Sequence, residues 1–206
     1  RMKKTGILFM VAAAFTVASC SSDATTKEDE VVEAVTYTLD SENSSIKWKG
    51  SMSADYFHSG TVNLSEGSMT VEGESVTGSF VVDMTTIRDT SLEAPKSEYL
   101  TGHLQGTMVD DDHPADKFFN TPMFPNVNVT VNSYSDGKLD LTLDILGKKV
   151  KQTVDAKLVS NEEEASIKGS FSMDLTSLNV PGFAVNADGS QISPIIEFEV
   201  VVALTK

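Results

Sequence analysis

The fold is decided by two stretches near the middle of the chain, HSGTVNLSEGSMTVEGESVTGSFVVDMTTIRDT (residues 58–90) and HLQGTMVDDDHPADKFFNTPMFP (residues 103–125). In the first stretch, apolar or small residues occupy alternate positions at Val76, Gly78, Phe80, Val82 and Met84. A period of two predicts a β-strand that buries one of its faces. Glycines at 67 and 73 predict the turns that precede this strand.

The second stretch is irregular and rich in aromatic residues. Leu100 and Leu104, together with Tyr99, can share one side of a short helix that starts near Pro95. We therefore predict one or two short helices in the crossing around residues 95–120.

An apolar cluster follows at Phe118, Phe119 and Phe124. The sequence leaves open whether this cluster closes one end of an internal tunnel or plugs the bottom of the fold.

Outward from these stretches, alternation continues almost to the end of the chain. Its longest runs are 139–145, 165–175 and 196–204, and residues 135–137 (Ser-Asp-Gly) form a hairpin turn. Strands joined by tight turns pair antiparallel, and about eight of them in one domain form a barrel or a sandwich. We predict an all-β fold over residues 36–206, an extended antiparallel eight-stranded barrel.

The interior of this barrel follows from the alternation. Polar side chains must face water, so the apolar set points inward. A barrel of eight strands is just wide enough either to be filled by side chains or to hold a small ligand. Periodicity leaves both possibilities open.

Five short motifs occur in order along the domain: LDSENSSIKWKG (39–50), HSGTV (58–62), TGSFVVDMTTI (77–87), DKFFNTPMFPNVNV (116–129) and KLDLTLDILGKKVKQTV (138–154). Through them, residues 36–204 closely resemble the YceI-like lipid/polyisoprenoid-binding family. The resemblance implies a lipocalin-like barrel with an elongated apolar cavity that holds a polyisoprenoid chain, such as a quinone tail or a polyprenyl phosphate.

A long isoprenoid suits such a cavity because each buried CH₂ group contributes about 0.8 kcal/mol without specific polar chemistry. The residues predicted to bind the ligand are Trp48, Phe80, Val82, Met84, Leu104, Phe119, Leu141, Leu143, Phe171, Met173 and Phe198. The alternative for each of them is that it simply packs the core.

The polar end of the ligand is less defined. A pyrophosphate requires basic groups, yet Arg88 is the one arginine after the first residue, and lysines cluster at 148, 149 and 151 in a hairpin. The sequence therefore favours an uncharged ligand, such as a quinone or a neutral lipid, over a polyprenyl phosphate. For His58 and His103, whose positions match histidines of the family motifs, we predict a structural role or a hydrogen bond to the head group.

The first 20 residues have the pattern of a lipoprotein signal peptide. Lys3 and Lys4 precede an apolar stretch that ends in Val-Ala-Ser-Cys, which resembles a bacterial lipobox. Cys20 is then the lipidated residue that anchors the protein in the bacterial cell envelope, with the periplasmic side of the outer membrane favoured over the cell surface. Residues 21–35 are predicted to be a flexible acidic tether; its acidic run at 28–30 fits a solvated linker better than a surface-export signal.

The charge excludes some partners. The chain carries a net charge of −14, and without Arg1, Lys3 and Lys4 it has 13 basic and 30 acidic side chains, a net charge of −17. We expect no nucleic-acid partner, because binding phosphates requires a basic face. Attachment to an anionic membrane by charge is equally disfavoured, so we expect the acyl chains on Cys20 to make the membrane link.

Motifs of catalysis are absent from the sequence, which contains no G-x-S-x-G, P-loop, H-E-x-x-H or C-x-x-C. We expect no enzyme activity, no cofactor and no metal site. His58, His103 and His113 with Asp110, Asp111 and Asp112 offer ligand types that suit zinc or manganese. The histidines lack the i, i+4 spacing of helical metal ligands, however, and the aspartates fit a solvated loop better. The alternative function is a filled-barrel envelope lipoprotein that interacts with other proteins, and the sequence leaves open whether the protein forms a homodimer.

Overall fold

The computed structural model describes residues 33–206, so the predicted signal peptide, Cys20 and most of the tether lie outside the described residues. In the described part, the elements are β1 (Val35–Ser51), β2 (Phe57–Glu72), β3 (Ser75–Asp89), α1 (Lys96–Gln105), β4 (Asn126–Ser135), β5 (Lys138–Ile145), β6 (Lys148–Asp155), β7 (Lys157–Ser160), β8 (Glu164–Asp174), two 3₁₀ turns (Thr176–Leu178 and Pro181–Phe183) and β9 (Ile195–Thr205). No helix within residues 33–206 is long and apolar enough to cross a membrane.

The strands form one antiparallel sheet in the order β6-β5-β4-β3-β2-β1-β9-β8-β7. The two edge strands, β6 and β7, are consecutive in the chain and are separated only by Ala156. One segment of chain thus leaves β5 and joins β8, so it connects the two edges of the sheet. The sheet is curled around an interior space as a result.

The change of partner at Ala156 is supported by hydrogen bonds with the β4–β5 hairpin. The Ala156 N–H donates to the Gly137 carbonyl at 2.8 Å, and the Tyr134 hydroxyl donates to the Ala156 carbonyl at 3.3 Å. The Leu158 N–H donates to the same hydroxyl at 3.4 Å. The backbone at the junction is therefore satisfied although it leaves one ladder before it enters the next.

The predicted all-β antiparallel fold with a short helix is confirmed, with nine strands instead of eight. The extra strand arises because residues 148–160 are interrupted at Ala156. Apolar residues at Val150, Val154, Ala156 and Leu158 keep one period across the junction. The alternation of apolar residues therefore does not reveal that the strand is divided into β6 and β7 at Ala156.

Tight turns set the register of the central hairpins. Asp136 and Gly137 have φ of 52° and 75°, and Leu146 and Gly147 have φ of 53° and 70°. Two successive residues with positive φ characterise the two-residue turn whose twist matches that of antiparallel strands. The turn predicted at residues 135–137 is present between β4 and β5.

Helix α1 begins directly after Pro95, as predicted, and ends at Gly106 in the left-handed conformation that favours glycine (φ 72°). The prediction that Tyr99 shares a side with Leu100 and Leu104 is wrong. Tyr99 is 48% exposed and its ring lies against His103, on the outward side of α1. After α1, the chain crosses to β4 through turns, without a second helix within residues 106–125.

The tightest packing lies at the opposite end of the sheet from α1, near the start of β1. Met69 is fully buried there and Leu204 is 1% exposed. The Tyr37 hydroxyl, also in this region, donates to the Asn161 carbonyl at 2.6 Å. This end is filled by side chains, so any internal space must lie towards α1.

We predict that Gly169→Ala destabilises the protein because Gly169 on β8 lies beside the junction at Ala156. An added Cβ would lie 2.8 Å from the Asp155 carbonyl oxygen. Overpacking of this kind typically costs about 1–3 kcal/mol. Urea denaturation of the purified protein measures the change in the free energy of unfolding.

The matched control is Gly50→Ala, at which the added Cβ would meet only the Ile196 Cδ1 at 3.4 Å. Both substitutions restrict the unfolded chain equally, so this control should be neutral or slightly stabilising. Equal stability of the two variants would contradict the close approach of β8 to the junction.

Candidate ligand-binding cavity

The curled sheet surrounds a cavity of about 250 Å³ that is partly open to solvent. Side chains from α1 and from every strand except β7 line it. Protein interiors contain few voids larger than a water molecule, whose share of liquid volume is about 30 Å³. The interior is therefore hollow. The structure decides between the two interiors that the sequence leaves open.

All the residues predicted to bind the ligand line this one cavity: Trp48, Phe80, Val82, Met84, Leu104, Phe119, Leu141, Leu143, Phe171, Met173 and Phe198. Their contact with a ligand stays a prediction. The lining also includes Leu175, Phe183 and Ile192, which sequence reasoning missed. Leu175 ends the alternating run 165–175 but was not selected as a ligand contact, whereas Phe183 and Ile192 lie between β8 and β9, where no period signals which side chains face inward.

One end of the cavity is closed by α1 and part of the aromatic cluster. Leu100 and Leu104 face inward from the helix, and Phe118 and Phe119 line the cavity beside them. The Phe118 ring packs edge-on against Phe183, with 5.9 Å between centroids. Of the two alternatives for the cluster, the structure supports closure of the end of a cavity.

The lining is almost wholly apolar, and Trp48 provides one of its few polar atoms. Gly60, opposite Trp48 in the β1–β2 register, leaves room for the indole, because a Cβ there would lie 2.7 Å from its Cζ2. The Trp48 Nε1 is buried and has no hydrogen-bond partner among residues 33–206. A buried donor without a partner costs about 1–3 kcal/mol, so a ligand acceptor that reached this N–H would be favoured.

His58 lines the same region of the cavity, from the neighbouring strand. It pairs with Gly50, two residues from Trp48, so the two side chains are diagonal neighbours on the inward face. A quarter of the His58 side chain is exposed, which places it where the cavity approaches solvent. The structure thus puts a donor and a titratable ring together at the rim.

A hydrogen-bond network anchored on the buried Asp89 holds His58 in place. Its Nδ1 lies 3.2 Å from the Ser91 Oγ and 4.0 Å from the Asp89 Oδ2. The Asp89 side chain is completely buried, and its carboxylate accepts hydrogen bonds from the Ser91 hydroxyl (2.7 Å) and the Leu92 N–H (2.9 Å). This network orients the imidazole at the rim.

A second polar cluster lies on the outward side of α1. His113 Nδ1 lies 2.8 Å from the Asp110 Oδ1, and this hydrogen bond lowers the pKa of the Asp110 carboxyl. Burial and the nearby His113 lower the pKa of His103. Burial and the Asp110 carboxylate raise the pKa of the Tyr99 hydroxyl. Sequence spacing missed this cluster because a turn at Gly106, not a helical repeat, brings His113 back to His103.

Comparison with known proteins agrees with this geometry. A curled antiparallel sheet around an apolar cavity defines the lipocalin-like class. Within that class, the model of the YceI-like domain matches residues 37–204. The chain therefore belongs to the YceI-like family, which confirms the resemblance found in the sequence. No curated protein matches the chain.

Two solved structures share the fold at low sequence identity. A polyisoprenoid binding domain from Saccharophagus degradans, implicated in plant cell wall breakdown, is 14% identical with a TM-score of 0.59, over 85% of this chain and 99% of that domain. BcnA from Burkholderia cenocepacia is 14% identical with a TM-score of 0.61, over 80% of this chain and 98% of BcnA.

Proposed function

We propose that this protein binds an isoprenoid or related apolar lipid in the cavity of the curled sheet. The observation that carries the proposal is the apolar cavity of about 250 Å³. An engineered apolar cavity of about 150 Å³ in another protein stays dry and binds benzene. A larger cavity of the same character favours an apolar guest in the same way, because transfer of the guest from water is favourable.

The polar end of the ligand is proposed to carry an uncharged hydrogen-bond acceptor, such as a quinone carbonyl. The Trp48 N–H is the unpaired donor in the lining, and His58 lies next to it at the rim. The lining that the structure describes contains no lysine or arginine. A phosphate inside the cavity would therefore lack a basic partner. The likeness to the polyisoprenoid binding domain supports the isoprenoid class.

The proposal contains no catalytic step. His58 is the single titratable side chain in the described lining, and binding of an isoprenoid requires no proton transfer. The alternative function is a protein that acts only through its surface, and an empty cavity in the binding test below would favour it.

Filling the cavity should abolish lipid binding. Val200 lines the cavity and pairs with Ile46 and Gly169, which also line it, so Val200→Trp projects an indole into the open space. We expect wild-type protein from a lipid-containing host to carry a discrete apolar ligand in native mass spectrometry. The Val200→Trp variant should carry none, because the indole occupies the site.

The control is Val159→Trp on β7, where the parent valine is 52% exposed and outside the lining. It should retain the ligand, and circular dichroism checks that both variants keep the fold. An empty wild-type protein that also fails to be stabilised by added quinones or polyprenyl lipids would overturn lipid binding and favour the interaction protein.

The role of Trp48 is tested by Trp48→Phe, which removes the N–H and keeps an aromatic ring. We expect this variant to bind a quinone with three isoprene units about 5–10-fold more weakly, because one hydrogen bond contributes about 1 kcal/mol. Affinity for squalene, which has no acceptor, should change little. Isothermal titration measures how much the affinity for each lipid falls on substitution. An equal loss of affinity for the quinone and for squalene would mean that Trp48 contributes only packing.

We further propose that Cys20 carries the acyl chains that hold the protein at a membrane of the bacterial envelope. The sequence Val-Ala-Ser-Cys supports this assignment. In a bacterial host, Cys20→Ser should move the protein from the membrane fraction to the soluble fraction, whereas Ser21→Ala should not. Immunoblotting of the fractions and the mass of the N-terminal peptide measure the outcome; membrane retention of the Cys20→Ser protein would rule out the anchor.

A further inference from the structure

The outward side of α1 and the loop that follows it bring three metal-binding residue types together. One ring nitrogen each of His103 and His113 and one carboxylate oxygen of Asp110 all lie within 4.8 Å of one another. The two imidazole rings meet edge-on, with 3.9 Å between centroids. None of the three residues lines the lipid cavity.

His103 supplies an independent sign of a missing partner. The residue is only 4% exposed, and its Nε2 has no hydrogen-bond partner among residues 33–206. Buried polar side-chain atoms are satisfied in the large majority of cases. A neutral imidazole nitrogen is a common metal ligand. The buried ring therefore has an unused nitrogen beside two other ligand groups.

Asp110 and His113 are already fixed relative to each other. The Asp110 Oδ1 accepts hydrogen bonds from the backbone N–H groups of Asp112 (3.0 Å) and His113 (2.8 Å) and contacts the His113 Nδ1. The Asp110 Oδ2 has only a 3.4 Å contact with the Tyr99 hydroxyl. The Asp110 Oδ2 is therefore the carboxylate oxygen with the fewest existing partners, and it is the one free to bind an ion.

We propose that His103, Asp110 and His113 form a binding site for a divalent late first-row transition metal. Two imidazoles and one carboxylate suit Zn²⁺, Co²⁺, Ni²⁺ or Cu²⁺. Ca²⁺ and Mg²⁺ instead require mainly oxygen ligands. The proposed metal site is separate from the lipid cavity and does not depend on lipid binding. It differs from our expectation from sequence spacing that the protein has no metal site.

The position of the site gives it a structural consequence. Leu104, the residue after His103, lines the lipid cavity, and Phe119 donates its N–H to the Leu104 carbonyl at 3.2 Å. An ion held by His103 and the loop would therefore tie the loop to the helix that closes the cavity.

The test is titration of the metal-free full chain with Zn²⁺ in a Cys20→Ser background, which removes the competing thiol. We expect one saturable equivalent by isothermal titration, an upward shift in Tm, and no comparable binding of Ca²⁺. Co²⁺ should give visible absorption bands of a nitrogen- and oxygen-ligated ion. In NMR spectra, zinc should shift the ring nitrogens of His103 and His113 and leave those of His58 unchanged.

Variants decide whether these residues are the ligands. His113→Gln and Asp110→Asn should each weaken Zn²⁺ binding at least about 10-fold. Asp111→Asn makes the same charge change in the same exposed loop and should retain wild-type affinity. Both ligand variants lie at accessible positions, so the test does not depend on replacing the buried His103. Absence of saturable Zn²⁺ binding, or binding that survives both His113→Gln and Asp110→Asn, would overturn the proposal.

Discussion

The cavity depends on the change of strand partner at Ala156. If residues 148–160 paired with β5 along their whole length, the sheet would have two distant edges and its apolar face would require another cover. Because the chain crosses from β5 to β8 there, supported by the Tyr134 hydroxyl, the apolar face closes on itself. Gly169 permits the close approach that this crossing requires. An enclosed apolar space follows from local backbone geometry.

The closed apolar face explains how a strongly acidic chain can offer a lipid site. The charged side chains lie on the outward face, where exposed pairs such as Lys47 with Glu199 cross neighbouring strands. Such exposed pairs add little stability. The inward face instead consists mainly of apolar side chains and includes Trp48, whose buried Nε1 has no partner among residues 33–206. Affinity in such a site comes mainly from burial of the ligand, and the donor selects among ligands of similar apolar area.

Alternation could predict the lining because it is a local property of each strand. Phe80, Leu141 and Phe171 were found in this way, and the structure places them around one space. The hollow interior could not be predicted, because the same period describes a filled barrel. The cluster of His103 with His113 also escaped prediction, since it depends on how the loop after Gly106 folds back. The spacing of residues along the chain does not show that this loop brings His113 back to the helix.

Helix α1 lies between the cavity and the proposed metal site. Leu104 faces the cavity, and His103 beside it faces the loop that carries Asp110 and His113. If a ligand at one site changes the position of α1, it also changes the lining or the ligand geometry of the other site. Coupling between two binding sites is reciprocal, so an ion that strengthens lipid binding must itself bind more tightly to the lipid-loaded protein. If neither ligand changes α1 or the side chains it presents, the two affinities are independent and the coupling free energy is zero.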